Sequence, residues 1–509
     1  MNSLEKKILP KLRLLESTLQ PINRLPKHIF VLIPHFFTKS KRDYDTFPMN
    51  KPLITMTHVC RSWRNVLLST PSLWTQVDFA TRMSKQAKGF LGRSGNQLLD
   101  IHQILEADDH VEPFLSTTLR NIHRVRRLDI DSFLPHLERM LVRFTEPAPK
   151  LEHLKITNDP NITDRDMKLD NIIFGGRLPK LTSLSLHHLR TNLRGFDFPS
   201  LTRFVFTTGT DISVLDLASF FERCPLLELI QISLSYPPQP PVAPPRKRIR
   251  LAALKALRFD QTASTSGLLD HLVLPKCTEV ILKGQFTDEI LNQYGSPAAR
   301  IHPSSIGHIS AMRGITKATA MPNSCILSGP NGNLRFWCFK GVRGELDAGF
   351  FASFSPISVS EVRELWVGQP GGSYSQASQG PWKQTTAGVR GVFEVLTKVE
   401  DLTFVSCETE PFFAILGAAV DDGLLLPGLR RLTIYVGYVD LNASALMQCA
   451  KARKEHSPSL KEVTVVFERE PGAGVIQEVE SIGEFVGELT HRIGETPKLT
   501  WLGEDCDLW

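Results

Sequence analysis

The feature that most limits what this chain can fold into is a short apolar pattern, Pro-x-Leu-x-x-Leu-x-Leu, that keeps returning along it. Clear copies start at Pro149 (Leu151, Leu154, Ile156), Pro179 (Leu181, Leu184, Leu186), Pro199 (Leu201, Phe204, Phe206) and Pro225 (Leu227, Ile230, Ile232). Three more start at Pro427 (Leu429, Leu432, Ile434), Pro458 (Leu460, Val463, Val465) and Pro497 (Leu499, Leu502). Copies without the proline are Val125-Leu128-Ile130, Leu254-Leu257-Phe259, Val362-Leu365-Val367 and Val399-Leu402-Phe404, with weaker ones at Cys277-Val280-Leu282 and Leu334-Trp337-Phe339. The last two apolar residues of each copy are separated by one residue, which puts them on one face of a short strand. The first lies three residues earlier, where the chain turns into that strand. The spacing between copies, about 20 to 40 residues, leaves room for a helical return. Two such returns are visible, at Val214–Phe221 and at Ala445–Ala450. The expected fold class is therefore α/β: stacked parallel strands whose apolar face packs on returning helices.

These copies resemble a degenerate leucine-rich repeat, although most lack the asparagine that normally follows the strand. A different signal precedes them. Leu25-Pro26-Lys27-His28-Ile29-Phe30 opens a segment that closes with Val59-Cys60-Arg61-Ser62-Trp63-Arg64-Asn65-Val66-Leu67 and Thr70-Pro71-Ser72-Leu73-Trp74. Pro26 suits the first position of a helix, where its missing N–H leaves no bond unmade. Ile29, Phe30, Ile33, Phe36 and Phe37 recur at helical spacing, as do Val59, Cys60, Trp63, Val66 and Leu67. A module this small cannot bury two such faces alone. Pro34 should kink the first helix, and a charged insert from Lys39 to Lys51 divides the two halves.

These residues resemble an F-box, in particular the F-box-like proteins abundant in mushroom-forming fungi. The resemblance implies a module that docks on the Skp-type adaptor of a cullin ubiquitin ligase. Its adaptor-binding residues would be Leu25, Pro26, Ile29, Val59, Cys60 and Trp63, with Trp63 also locking the helices together. His28 stands where the family usually carries an acid. The expected organisation is an amphipathic helix over residues 1–20, an F-box-like domain over 21–79, and an irregular leucine-rich-repeat-like domain over 80–509. Insert loops fall near 236–250, which is proline-rich with a basic tail, and near 368–391, which is rich in Gly, Ser and Gln. Tyr294 to Gly332 has little periodicity.

Composition narrows the function classes. With 42% hydrophobic and 22% charged residues the chain is of ordinary globular type. The net charge of +6 is spread along it, which gives nucleic acid no clear footing despite Arg246–Arg250. No apolar run is long enough to span a membrane, and the first twenty residues lack the apolar centre of a signal peptide. The eight cysteines form no C-x-x-C pair and no zinc-finger spacing, and fit reduced core thiols of a cytoplasmic or nuclear protein.

No P-loop, H-E-x-x-H, G-x-S-x-G or Rossmann fingerprint is present. His187-His188 ends a repeat strand with no acidic pair nearby and reads as ridge filling. The expectation is a non-enzyme with no cofactor, no metal site and no membrane partner. Its function would be substrate recognition for an SCF-type cullin ubiquitin ligase, with an unknown protein target on the repeats. The alternatives are a non-degradative interaction scaffold and, behind it, a nucleic-acid binder. The residue between the last two apolar positions of each copy should face away from the core, giving Lys155, Ser185, Val205, Gln231, Arg258, Trp366, Thr403, Thr433 and Thr464. Of these, Trp366, Lys155 and Arg258 are the candidate target contacts, since aromatic and Arg side chains dominate interface hot spots.

Overall fold

Five of the clear repeats begin with the same tight turn, and the turn explains the proline. In the computed structural model the N–H of Leu151 donates to the carbonyl of Ala148 at 3.2 Å, that of Leu181 to Leu178 at 3.1 Å, and that of Leu201 to Phe198 at 3.0 Å. Leu227 pairs likewise with Cys224 and Leu429 with Leu426. Pro149, Pro179, Pro199, Pro225 and Pro427 hold the second position of these turns, where a ring-fixed φ is already the one required. The residue before each proline is a further core position: Ala148, Leu178, Phe198, Cys224 and Leu426 are all buried. A pattern read from the proline onward misses it.

The structure describes residues 25–34, 51–79, 84–105, 111–132, 137–159, 167–169, 173–176, 178–191, 193, 196–208, 212–234, 248–260, 268–285, 308–321, 324–339, 359–368, 386–405, 407–420, 423–436, 441–456 and 460–494. The helix expected over 1–20, the 235–247 part of the proline-rich insert and the copy at Pro497 lie outside these. The chain divides into two compact units, Met1–Ile212 with Arg223–Leu227, and Ser213–Glu222 with Glu228–Trp509.

The first unit starts with short helices, α1 (Lys27–Phe30), α2 (Lys51–Met56) and α3 (Arg61–Leu68), and a 3₁₀ turn at Pro71–Trp74. A six-stranded parallel run follows in chain order: β1 (Gln76–Asp78), β2 (Leu99–Leu105), β3 (Val125–Ser132), β4 (His153–Asn158), β5 (Ser183–His187) and β6 (Arg203–Thr208). Register aligns one residue per strand into an inward row, Val77, Ile101, Leu128, Leu154, Leu184 and Phe204. All six are buried. Helices α4 (Ser84–Arg93), α5 (Val111–Asn121) and α6 (Leu137–Leu141) return the chain. Phe79, Phe114, Phe144 and Phe174 form a ladder with ring centroids 5.5, 6.5 and 5.2 Å apart, tying successive repeats together.

The second unit continues the pattern. Its strands are β7 (Leu229–Leu234), β8 (Ala256–Asp260), β9 (Glu279–Gln285), β10 (Lys317–Met321), β11 (Ser324–Gly329), β12 (Gly332–Phe339), β13 (Glu364–Gly368), β14 (Asp401–Val405), β15 (Arg431–Val436), β16 (Glu462–Phe467) and β17 (Glu488–Ile493). Among these strands, neighbours are parallel except β10–β11 and β11–β12. Its helices are α7 (Val214–Glu222), α8 (Thr386–Val395), α9 (Glu410–Leu416), α10 (Ala443–His456) and α11 (Ala473–Ser481). The carbonyl just ahead of a strand takes two N–H groups from the next repeat: Glu400 accepts from Arg430 and Arg431, and Arg430 from Lys461 and Glu462. Stacked parallel strands with helical returns are thus the architecture expected from the repeat pattern.

Four expectations change. The aperiodic stretch before Gly332 contains the antiparallel hairpin β10–β11, and β11 turns back into β12 through Pro330-Asn331. The copy at Leu334 is one phase off: Leu334 and Phe336, not Trp337 and Phe339, take the register of Val280 and Leu282. The basic tail of the first insert is partly folded. Ile249–Arg250 pairs in parallel with Leu272–Val273, and Arg248 Nε donates to the Asp270 carbonyl at 3.0 Å. The second insert is shorter than its composition suggests, since Gly368 ends β13 and Thr386–Gly391 opens α8. Among the described residues no helix is long and apolar enough to cross a membrane.

Candidate functional site

The helical module at the start of the first unit is locked from within yet leaves apolar side chains in water. Pro26 is the N-cap of α1, with φ −54° and ψ 142°, and its carbonyl accepts from Ile29 and Phe30 at 2.9 and 3.0 Å. A turn at Val31 interrupts the helix, one turn ahead of Pro34, whose missing N–H cannot reach Phe30. Phe30 is buried and meets Trp63 edge-on at 4.8 Å, which joins the two halves of the module. Lys27 Nζ donates to Ser69 Oγ at 3.3 Å across the same join.

The stripe expected over Val59–Leu67 is not all helical. Helix α3 begins at Arg61, and Cys60 is its N-cap, extended at φ −156° and ψ 170°, with Sγ accepting the Trp63 N–H at 3.5 Å. Val59 stands in the preceding turn, 57% exposed. Leu67 alone of the stripe is fully buried, while Trp63 and Val66 are half-buried. The Thr70–Trp74 segment serves a different end. Trp74 is buried, donates its Nε1–H to the Leu67 carbonyl at 2.9 Å and meets Phe90 of α4 edge-on at 4.7 Å. It fastens the module to the repeats.

The result is a concentration of exposed apolar surface. Of the eight large hydrophobic side chains exposed among the described residues, four belong to this module: Leu25, Ile29, Leu32 and Val59. Pro26 is exposed beside them, and Cys60 and Trp63 are half-buried. Leu32 adds to the residues expected from sequence. Its helical offset of three from Ile29 was the available signal.

The solvent-side face of the first unit's sheet carries charge. Register lines up Asp78 with His102, His102 with Asp129 and Asp129 with Lys155. His102 Nε2 is 3.2 Å from Asp131 Oδ2 and its Nδ1 is 3.7 Å from Asp78 Oδ1. Lys155 Nζ approaches the other Asp131 oxygen at 3.1 Å. Burial alone would lower the His102 pKa, but hydrogen bonds and charge from Asp131 and Asp78 outweigh it and raise it to about 9. Burial would raise Asp131, yet His102 and Lys155 hold it well below the usual carboxylate range. Arg126 grips Asp100 with two bonds of 3.0 and 2.7 Å, and Arg127 reaches Asp129 at 2.8 Å. His187 is half-buried, and the burial it has, with the charge of Lys155, pushes its pKa down to about 4. Sequence reading picked out Lys155 but none of its acidic partners, because their convergence depends on strand register.

In the second unit the corresponding row runs Gln231, Arg258, Ile281, Arg335, Ile326, Thr319, Trp366, Thr403, Thr433, Thr464 and Thr490. Arg258 pairs with Glu279 at 3.2 Å. Trp366 is half-buried and donates Nε1–H to Glu364 Oε1 at 2.8 Å. Val205, Ile281, Thr319 and Thr403 of these solvent-side rows are buried, so the faces are not uniformly open.

Burial pushes the thiols of Cys224, Cys277 and Cys407 up to about 12 and that of Cys449 to about 11, so all four are protonated at neutral pH. Among the described residues no three His, Cys, Asp or Glu side chains converge as a metal site. No family model matches this chain, and no curated protein matches it.

Proposed function

We propose that this protein is a substrate-recognition adaptor of an SCF-type cullin ubiquitin ligase. The helical module would be an F-box holding a Skp-type subunit, and the repeats would present a protein target. The carrying observation is the exposed set Leu25, Ile29, Leu32 and Val59 on a module whose Trp63 and Trp74 are already engaged internally. Exposed apolar side chains beside satisfied anchors are what a helical partner would cover. The contribution to catalysis would be effective concentration, the target's lysines being held near the ubiquitin-loaded enzyme.

Trp366 is the favoured target contact. Lys155 and Arg258 are held by Asp131 and Glu279, so a target would have to compete for them. The same pairing argues against nucleic acid, since Arg126, Arg127, Lys155 and Arg258 are each neutralised by an acid of the chain itself. Affinity purification of a Leu25→Ala, Pro26→Ala double variant tests the reading. Loss of the Skp-type protein and cullin, with the repeats still folded, is expected; unchanged recovery of both would refute it. A Skp-type partner without cullin would favour the scaffold.

A further inference from the structure

We propose that the helical module docks its partner through charge as well as apolar contact, and that the partner's surface is acidic: apolar side chains flanked by Asp and Glu. The inference deepens the adaptor reading and rests on it. From Leu25 to Pro34 and from Lys51 to Val77 the sequence holds no acid. Lys27, His28, His58, Arg61 and Arg64 are exposed there, among the exposed Leu25, Ile29, Leu32 and Val59. Among the described residues no carboxylate pairs with Lys27, Arg61 or Arg64, and Lys27 reaches the neutral Ser69 hydroxyl instead. The repeats treat their cations differently. Arg126, Arg127, Lys155, Arg258 and Arg431 each meet a carboxylate of the chain itself.

Arg61 and Arg64 also stand where a helix disfavours them. They are the first and fourth residues of α3, whose first turn carries no acid. Unpaired backbone N–H groups give that end of a helix a partial positive charge, so a cation there costs stability and an acid adds it. Two cations that make no ion pair within the fold and oppose the helix dipole are accounted for by an anionic surface outside the fold.

The stretches that flank the module in sequence do not supply such a surface. Residues 1–24 set Lys6, Lys7, Lys11, Arg13 and Arg24 against Glu5 and Glu16. Residues 35–50 set Lys39, Lys41 and Arg42 against Asp43 and Asp45. Both are net positive, as the module is, so either would meet like charge on it. A protein is favoured over other anionic surfaces. Nucleic acid is held mainly at phosphate and sugar, which gives no role to four exposed large apolar side chains. Lipid-binding clusters hold about four to eight Lys and Arg, and the module's described residues expose three. Apolar side chains with a polar, charged surround are the composition of a protein–protein interface.

Binding of the full chain to a purified Skp-type adaptor, followed by surface plasmon resonance from about 50 mM to about 500 mM NaCl, tests this. Affinity should fall several-fold as salt rises, mostly through a slower association rate. The Arg61→Glu, Arg64→Glu variant should bind roughly tenfold or more weakly at low salt and lose most of the salt dependence. An Arg61→Lys, Arg64→Lys control should keep that dependence. Glutamate suits the first turn of α3, so the thermal midpoint of the Glu variant should match or exceed the wild type. If the double reversal fails to fold, Arg64→Ala serves in its place. Adaptor binding that ignores both salt and charge reversal would overturn this inference and leave the adaptor reading standing. No adaptor binding at any salt would overturn both. Tighter binding of the wild type to phosphatidylserine vesicles or to duplex DNA than to the adaptor would overturn the assignment to an acidic protein.

Discussion

His102 Nε2 lies 3.2 Å from Asp131 Oδ2 across the β2–β3 pairing, and the pair is charged because each partner holds the other in its ionised form. The folded His102 titrates near 9, against an ordinary value of 6.5. A raised pKa contributes stability that is complete below the unfolded value and is lost as pH rises through the folded one. The first unit should therefore weaken between about pH 6.5 and pH 9, by up to about 3 kcal/mol. Asp131, shifted the other way, should cost stability as pH falls through the ordinary carboxylate range. Hydrogen exchange of β2 and β3 amides at pH 6 and pH 9.5 measures the alkaline loss locally. A His102→Asn variant should lose its pH dependence across that window; an unchanged dependence would remove His102 as the cause.

Trp74 joins the helical module to the repeats, so its loss should be felt on both sides. Trp74→Ala removes a buried ring, the Leu67 carbonyl's bond and the contact with Phe90. A cost of about 3–5 kcal/mol is expected. Trp74→Phe keeps most of the volume and should cost about 0.5–1.5 kcal/mol, chiefly from the lost indole bond, since the Leu67 carbonyl keeps the Thr70 N–H. Limited proteolysis should cut the alanine variant between α3 and β1 first. Protection equal to wild type would show that the module is fastened elsewhere.

Arg453 of α10 is a fully buried cation that spends its guanidinium on backbone. Nη1 donates to the carbonyls of Leu416 and Leu425 at 3.1 and 3.0 Å, and Nη2 to that of Leu426 at 2.7 Å. It thereby satisfies the C-terminal end of α9 and a turn whose Leu426 has a φ of +54°. Arg453→Met would take the donor from the Leu416 and Leu425 carbonyls and leave Leu426 with the Leu429 N–H alone, and should cost about 3–5 kcal/mol. Arg453→Lys should recover only part, because an ammonium cannot reproduce the planar fork. Denaturant titration of the two variants checks the order; methionine at or above lysine would contradict it.

The sequence made the repeat legible because each copy combines a proline-opened turn with a period-two pair. Leu154, Leu184, Leu432 and Val463 are core equivalents by register, as the pattern implies. Strand β2 was not legible in the same way. Leu99, Ile101, Gln103 and Leu105 alternate inward, but Gln103 interrupts the apolar pair and no turn signal of the repeat precedes them. The hairpin β10–β11 was missed for a related reason: Ala318 and Ala320 face inward where the pattern calls for larger residues. The exposed part of the candidate site was named residue by residue except for Leu32. The His102–Asp131–Lys155 cluster was not, because residues 102, 131 and 155 meet only once three strands are in register.

Gly332 shows how tightly that register is held. It opens β12 at φ +136°, and a Cβ built there would lie 2.1 Å from the Thr278 carbonyl oxygen. That oxygen cannot retreat, since it accepts the Asn333 N–H at 2.7 Å at the start of the β9–β12 pairing. Gly332→Ala must therefore break a bond or shift the strand, and should cost about 2–4 kcal/mol. Gly92 of α4 supplies the contrast: it is exposed, and a Cβ there meets nothing within 4 Å. Gly92→Ala should be neutral or stabilising by up to about 1 kcal/mol, because alanine loses less backbone freedom in a helix. Chemical denaturation of both single variants measures the difference. Equal effects would mean that the β9–β12 backbone yields to the added methyl, and that the glycine there is not a steric requirement.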